Sequence, residues 1–335
     1  VCGMHLFRKS REGKVMKKFC FIITLISLFF LVAGCGYNGQ DKAQTQQILK
    51  GYEVTDAIGR NVFLNAPPER IVSLTYGTDE IAAEIVDLDR IVAFSKWATD
   101  PEISFITNEQ AAKVGRKIDV NLETVLSLHP DLVLVSVATP AEFIKTLEDM
   151  KVPVYVAESP QNYEQMRKKV LGVAAALGEK EKGAALVKKM DDKMQKLQSR
   201  LSVLRPEDEK TVLAFTFTGL MGKKDGLFDN MLGLAHIKNG LAEINLNGEN
   251  QIINKEQVIA VNPDIIFVPT WNYNNENDIN GYAQSILNDP AYQNIKAVKN
   301  KRLEFVSDRY RYVASQHITE AVEVMAKAVY PEIFK

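Results

Sequence analysis

The clearest pattern along the chain is a pair of short unbroken apolar runs, each following an amphipathic segment that ends in Pro-Asp. Residues 121–136 read NLETVLSLHPDLVLVS, and residues 254–269 read NKEQVIAVNPDIIFVP. Asn121/Asn254, Glu123/Glu256, Val125/Val258, Pro130/Pro263, Asp131/Asp264 and Val135/Val268 match without a gap, 133 residues apart. In each copy the apolar positions Val125, Leu126 and Leu128, or Val258, Ile259 and Val261, predict a short helix. Proline has no amide hydrogen and restricts the residue before it, so that helix stops at Pro-Asp. The runs Leu132–Val135 and Ile265–Val268 predict parallel strands buried on both faces. Two copies predict two related α/β lobes.

Further runs of the same kind extend each lobe. Residues 70–74, 91–94 and 154–156 predict strands in the first, and residues 211–217 and 303–306 predict strands in the second. Helical segments separate them, as right-handed crossovers between parallel strands require. Between the lobes, residues 161–205 carry few breakers beyond Gly172, Gly178 and Gly183. Val187, Met190, Met194, Leu197, Leu201 and Leu204 are spaced 3-4-3-4-3, one apolar stripe down a helix. A coiled coil between subunits would use the same stripe. Its shortness and its α/β flanks favour one helix packed across both lobes. The pattern thus divides the body into lobes at 53–160 and 206–335 with a helical linker at 161–205.

The N-terminus carries a different signal. From Met16 come Lys17 and Lys18, then an apolar stretch, Phe19 to Val32, broken only by Thr24 and Ser27. A basic start, a short apolar core and small residues before Cys35 predict a secretory signal peptide over 16–34. A membrane-anchor helix would need about 20 apolar residues. Leu31-Val32-Ala33-Gly34-Cys35 resembles a bacterial lipobox, in which the Cys35 thiol is lipidated and becomes the new N-terminus. Several acyl chains hold firmly, so lipidated Cys35 would anchor an extracytoplasmic body to the bacterial cell membrane. Residues 35–52 are polar and read as a flexible tether. Residues 1–15 are read as an over-extended start.

Composition narrows the function. The 335 residues, 37.5 kDa, are 46% hydrophobic and 25% charged, ordinary values for about two globular domains. Net charge is −1, but residues 1–34 hold six Lys or Arg against one Glu, which leaves an acidic body. Such a body lacks the basic surface that nucleic acid requires. The cysteines are Cys2, Cys20 and Cys35. Cleavage before Cys35 removes any basis for a disulfide framework, a Cys-based zinc site or an internal thiol nucleophile.

Several segments then carry a family resemblance. Arg70-Ile-Val-Ser-Leu74, Thr78-Asp79-Glu80-Ile81 and Asp89-Arg90-Ile91-Val92 resemble the opening of periplasmic binding proteins for iron-siderophore, haem and cobalamin. The 121–133 segment, residues 288–298 and Val329-Tyr-Pro-Glu332 resemble that family's later signatures, so the similarity runs from about residue 53 to the end. Members are substrate-binding components of ABC importers. The resemblance implies an α/β fold of two lobes with mainly parallel sheets, joined by a single long helix, with the ligand cleft between them. It also implies delivery to a membrane permease and its ATPase, action as a monomer, and no cofactor. In the family one acid near the top of each lobe meets the permease. Glu80 takes that position in the first lobe. The second lobe departs from the pattern, with only Asp229 in its matching helix, residues 227–234.

Open α/β sheets bind ligands beyond the carboxyl ends of their strands. Those ends nominate Tyr76, Lys96 and Trp97 in the first lobe. In the second they nominate Met221, Trp271, Tyr273, Arg309, Tyr310 and Arg311. Indoles suit a large flat or greasy ligand, although each could simply pack under a loop. Guanidinium groups suit an anionic ferric siderophore, the first choice, although Arg309 and Arg311 could equally lie in a solvated turn. Cobalamin would lean on Tyr76, Trp97 and Trp271, and haem on an axial His, Tyr or Met. His129, His236 and His317 sit at no strand end and read as structural, so no metal site is expected. No phosphate loop, zinc-protease helix or nucleophile elbow appears, so no enzyme is expected. Adjacent Asp79 and Glu80 point apart on a helix and make no acid/base pair. A two-lobed metal-cluster enzyme subunit is the alternative of a different class, and it would need cysteines that the body lacks.

Overall fold

A computed structural model describes residues 51–244, 254–272 and 276–335. The signal segment, Cys35 and most of the tether lie outside these residues, as does Tyr273. The described chain opens on an antiparallel hairpin, β1 (Tyr52–Thr55) and β2 (Asn61–Leu64). The first lobe then alternates strand and helix: β3 (Ile71–Ser73), α1 (Tyr76–Ile85), β4 (Ile91–Ser95), α2 (Asn108–Val114), β5 (Lys117–Ile118), α3 (Leu122–Ser127), β6 (Leu132–Ser136), α4 (Ala141–Asp149) and β7 (Val154–Ala157). Its sheet runs β5-β4-β3-β6-β7, all parallel. Buried on both faces, β6 is apolar as far as Val135 and β7 throughout, as suits parallel strands under two helical layers.

The 161–205 segment holds the long helix expected there, α6 (Lys180–Leu201), preceded by a second helix, α5 (Tyr163–Ala176). Gly178, at φ 77°, takes the left-handed turn that separates them. A side chain at Gly183 would fall on Ala174, so glycine there lets the two helices close on each other. The stripe Val187, Met190, Met194, Leu197 and Leu201 is buried. It joins Ile81 and Ile85 of the first lobe and Met231, Ile318 and Val322 of the second in one continuous core. Each lobe has its own further cluster on the other face of its sheet.

The second lobe repeats the plan with β8 (Thr211–Thr216), β9 (Gly219–Met221), α7 (Leu227–Leu234), β10 (Lys238–Asn239), α8 (Lys255–Val261), β11 (Ile265–Phe267), α9 (Ile279–Asn288), α10 (Lys296–Lys299), β12 (Leu303–Glu304), α11 (Asp308–Arg311) and α12 (Ile318–Val329). Its parallel order is β10-β8-β11-β12, with β9 turned back antiparallel on β8.

The sequence repeat is a structural joint. Asn121 and Asn254 cap α3 and α8 by accepting from the amides of Thr124 and Gln257. His129 and Asn262 both lie in the left-handed region, at φ 47° and 48°. Asp131 accepts from the amides of Glu69 and Arg70 at 2.7 and 2.8 Å, and Asp264 accepts from that of Thr211 at 2.9 Å. Each aspartate therefore fastens its strand to the first strand of its own lobe. Among the described residues, no helix is long and apolar enough to cross a membrane.

Candidate functional site

Strand order reverses between β3 and β6 in the first lobe and between β8 and β11 in the second. Such reversal points leave a crevice beyond the carboxyl ends of the strands, because neighbouring crossovers leave in opposite directions. A cavity of about 420 Å³ opens there, lined from both lobes. Tyr76, Trp97 and Tyr312 give it an aromatic wall, Met221 and Phe228 an apolar side, and Lys169 and Arg311 a cationic floor.

Thr75 caps α1 through its hydroxyl, and this cap turns Tyr76 toward the second lobe. The Tyr76 hydroxyl donates to the carbonyl of Tyr312 at 2.8 Å, and burial raises its pKa. Trp97 follows β4 and stands edge-on to Trp271, with ring centroids 5.6 Å apart and planes at 74°. Trp271 does not line the cavity. Its indole N–H donates to Asp100 at 2.8 Å, and neighbouring Thr270 donates to Glu102 at 3.0 Å. Both bonds run from lobe to lobe, so Trp271 closes one edge of the cleft behind Trp97.

The arginines part company. Arg311 does reach the cavity, yet it is only 1% exposed. Its guanidinium donates to the carbonyls of Val268 and Phe215 and pairs with Asp308 at 2.9 Å. Burial lowers its pKa, and the Asp308 carboxylate opposes that shift. Arg311 therefore ties the ends of β8 and β11 together, and the solvated-turn alternative fails for it. Arg309 and Tyr310 lie elsewhere. The Arg309 guanidinium sits 5.0 Å from the ring centres of Phe105 and Tyr310, and Phe105 stacks on His317 at 4.1 Å. Helix geometry explains the split, because residues two apart on α11 face opposite ways. Lys96 turns outward to Asp119 at 2.8 Å and lies over the Trp97 ring, outside the cavity lining.

Of the two docking acids, Glu80 requires correction. Glu80 is 3% exposed. Its carboxylate accepts from the Phe105 amide at 3.1 Å and from the Ser315 hydroxyl of the second lobe. Burial pushes it up to about 7 against those hydrogen bonds and the Lys169 charge. A carboxylate held between the lobes presents nothing to a permease. Asp229 accepts from the Asp225 amide at 2.9 Å and from Asn239 at 2.8 Å, so it organises the start of α7. Asp79 is also buried, accepts from the Ser95 amide and hydroxyl, and is pushed up to about 8 by burial.

Sequence reasoning missed Lys169. It shares the buried face of α5 with Met166, Val170 and Val173, and it is 4% exposed. A lysine inside an apolar helical stripe was the available signal. Among the described residues, no cluster of His, Cys, Asp and Glu is placed to hold a metal ion.

The family model for periplasmic binding proteins matches residues 71–310. This chain belongs to that family. Its members are substrate-binding proteins of transporters, not enzymes, and act outside the cytoplasm. An uncharacterised ABC transporter substrate-binding lipoprotein of Bacillus subtilis is 28% identical, over 91% of this chain and 95% of its own length. The molybdate-binding protein of Haemophilus influenzae is 27% identical, over 84% and 86%. Its solved structure with molybdate superimposes with a TM-score of 0.68 at 22% identity, over 84% of this chain and 92% of that one. The petrobactin-binding protein of Bacillus subtilis is 23% identical, over 94% and 98%. As a periplasmic binding protein, the chain has its cavity where two doubly wound lobes face each other.

Proposed function

We propose that this periplasmic binding protein captures an anionic, oxygen-rich metal complex, a ferric siderophore first, and delivers it to an ABC permease and its ATPase. Lipid on Cys35 would hold it at the membrane, in keeping with the lipobox and the lipoprotein relative in Bacillus subtilis. The observation that carries the ligand class is the pairing of a cationic floor, on which Lys169 has no partner among the described residues, with an aromatic wall in one cavity. Oxygen-rich anions meet positive charge on that floor, and flat chelating groups meet Tyr76 and Trp97. The petrobactin-binding relative supports the same class.

A second reading, a compact oxyanion, draws on the cavity volume and on the molybdate-binding relative. At about 420 Å³ the cavity is near the small end of the ~300–1,000 Å³ range of ligand sites. Haem would need a free axial ligand: the Tyr76 hydroxyl donates to the Tyr312 carbonyl, Met221 sulfur meets Arg311 and His317 lies in the Phe105 stack, which leaves the Tyr312 hydroxyl in the cavity wall.

Titration of tryptophan emission with ferric siderophores, molybdate, haem and cyanocobalamin tests these readings. With two tryptophans in the chain, Trp97→Phe and Trp271→Phe assign the signal. A ferric siderophore should quench the wild-type protein, and most of that quench should vanish in Trp97→Phe. Binding of cyanocobalamin or haem with no ferric siderophore bound would refute the proposal.

A further inference from the structure

Lys169 is a feature of the cavity that the fold does not explain. The side chain is buried, yet its ammonium has no hydrogen-bond or ion-pair partner among the described residues. Carboxylates of Glu80 and Glu158 act on it only at longer range. A buried unpaired charge is costly, so a native fold seldom keeps one without use for it. The ammonium lies against Gly77, where an added Cβ would sit 2.9 Å from Nζ and 2.5 Å from the Ala314 carbonyl. Glycine there leaves the amine its room.

Two helix starts open on the same cavity. At α1 the amide of Thr78 is satisfied by Thr75, but those of Tyr76 and Gly77 have no protein acceptor. At α7, capped by Gly226 with no side-chain bond, the amides of Leu227 and Phe228 are likewise unmet. First-turn amides have no partner within their own helix, and they carry the positive end of its dipole. One helix comes from each lobe. Anions bind at such ends because donors and field point the same way.

We propose that Lys169 Nζ and the free amides at the starts of α1 and α7 form an oxyanion subsite at the base of the cleft. It would take the charged oxygen edge of the ligand, whether a free tetrahedral oxyanion or the oxygens of a metal complex. The proposal rests on the reading of this cavity as the ligand site. Burial lowers the lysine to about 8, opposed by Glu80 and Glu158, so it is mostly charged at neutral pH. Glu158 also lines the cavity, half-buried, and makes no ion pair with the ammonium. Its charge would set a limit on how many oxygens the subsite takes.

Calorimetric titration of the purified protein with molybdate and with ferric citrate, beside thermal melts, tests the subsite. At least one of the two should bind the wild-type protein and raise its melting temperature. Lys169→Met should then weaken that binding about tenfold or more, the loss of one charge-assisted hydrogen bond, while the ligand-free melting temperature holds or rises. Lysine-dependent binding of molybdate alone would support the subsite and remove the siderophore reading. Lysine-dependent binding of ferric citrate alone would support both. Equal affinity in Lys169→Met and wild type overturns the subsite and leaves the importer reading intact. Failure of both probes to bind or stabilise the wild-type protein also overturns it. A lower ligand-free melting temperature in both Lys169→Met and Lys169→Gln, with unchanged affinity, would make the lysine a structural counter-charge.

Discussion

The two lobes share their joints and differ in what they bring to the cleft. Asn-cap, short helix, left-handed residue, Pro-Asp and buried strand recur 133 residues apart, and in both lobes the aspartate reaches back to the first strand. Beyond the first strand the lobes diverge. In the first, β3 leads straight into α1, which starts with two buried acids, Asp79 and Glu80. In the second, β9 folds back on β8 before α7 begins, and Met221 enters the cavity from that added strand. The cations differ as well: Arg311 is held by strand-end carbonyls and Asp308 of its own lobe, whereas Lys169 faces the cavity without a partner. What the lobes have in common builds the sheets, and what separates them shapes the pocket.

The largest expected effect sets the two cations apart. Arg311→Met strands the Asp308 charge and two strand-end carbonyls, so it should cost about 3–5 kcal/mol in urea unfolding. Lys169→Met should cost little or stabilise. Equal losses would erase the distinction between a structural and a ligand-facing cation. The joints come next. Asp131→Ala loses bonds to two amides and should cost about 2–3 kcal/mol, against about 1–2 for Asp264→Ala, which loses one amide and an exposed Lys296 contact. A larger loss at Asp264 would show that the joints are not equivalent.

A pH-dependent effect belongs to the acids of the first lobe. Folded Asp79 keeps its proton to about pH 8, whereas its ordinary value is 3.8. Between those values the folded state binds more protons than the unfolded one, so stability falls as pH rises, by up to about 1.4 kcal/mol per unit. Glu80 adds to the fall between 4.5 and about 7. Melting temperatures from pH 5 to 7.5 should therefore decline, and Asp79→Asn should flatten the decline. The same slope in both proteins would contradict the burial of a protonated Asp79. The least change is expected for Arg309→Ala, which loses contacts to the Phe105 and Tyr310 rings worth about 1 kcal/mol and a hydrogen bond to the Tyr310 hydroxyl, and should leave anion affinity as it was. Any marked loss of affinity would return Arg309 to the site.

Much of the fold was legible in the chain because its causes are local. Apolar runs after Pro-Asp, caps at Asn121 and Asn254, and the 3-4 stripe of α6 each act within a few residues. They specified two parallel α/β lobes and the helix between them, and the strand ends pointed to Tyr76, Trp97, Met221 and Arg311 around one cavity. Other features had no local signature. The use of Trp271 as a bolt to Asp100, the burial of Glu80 against Ser315 and the placing of Lys169 beside Gly77 each join residues far apart in the chain. A side chain's charge and size are written in the sequence, but the partners that neutralise or strand that charge are chosen only when the lobes pack. For this reason the sequence determined which residues stand near the cleft, and the tertiary structure decided which of them face it with donors still free.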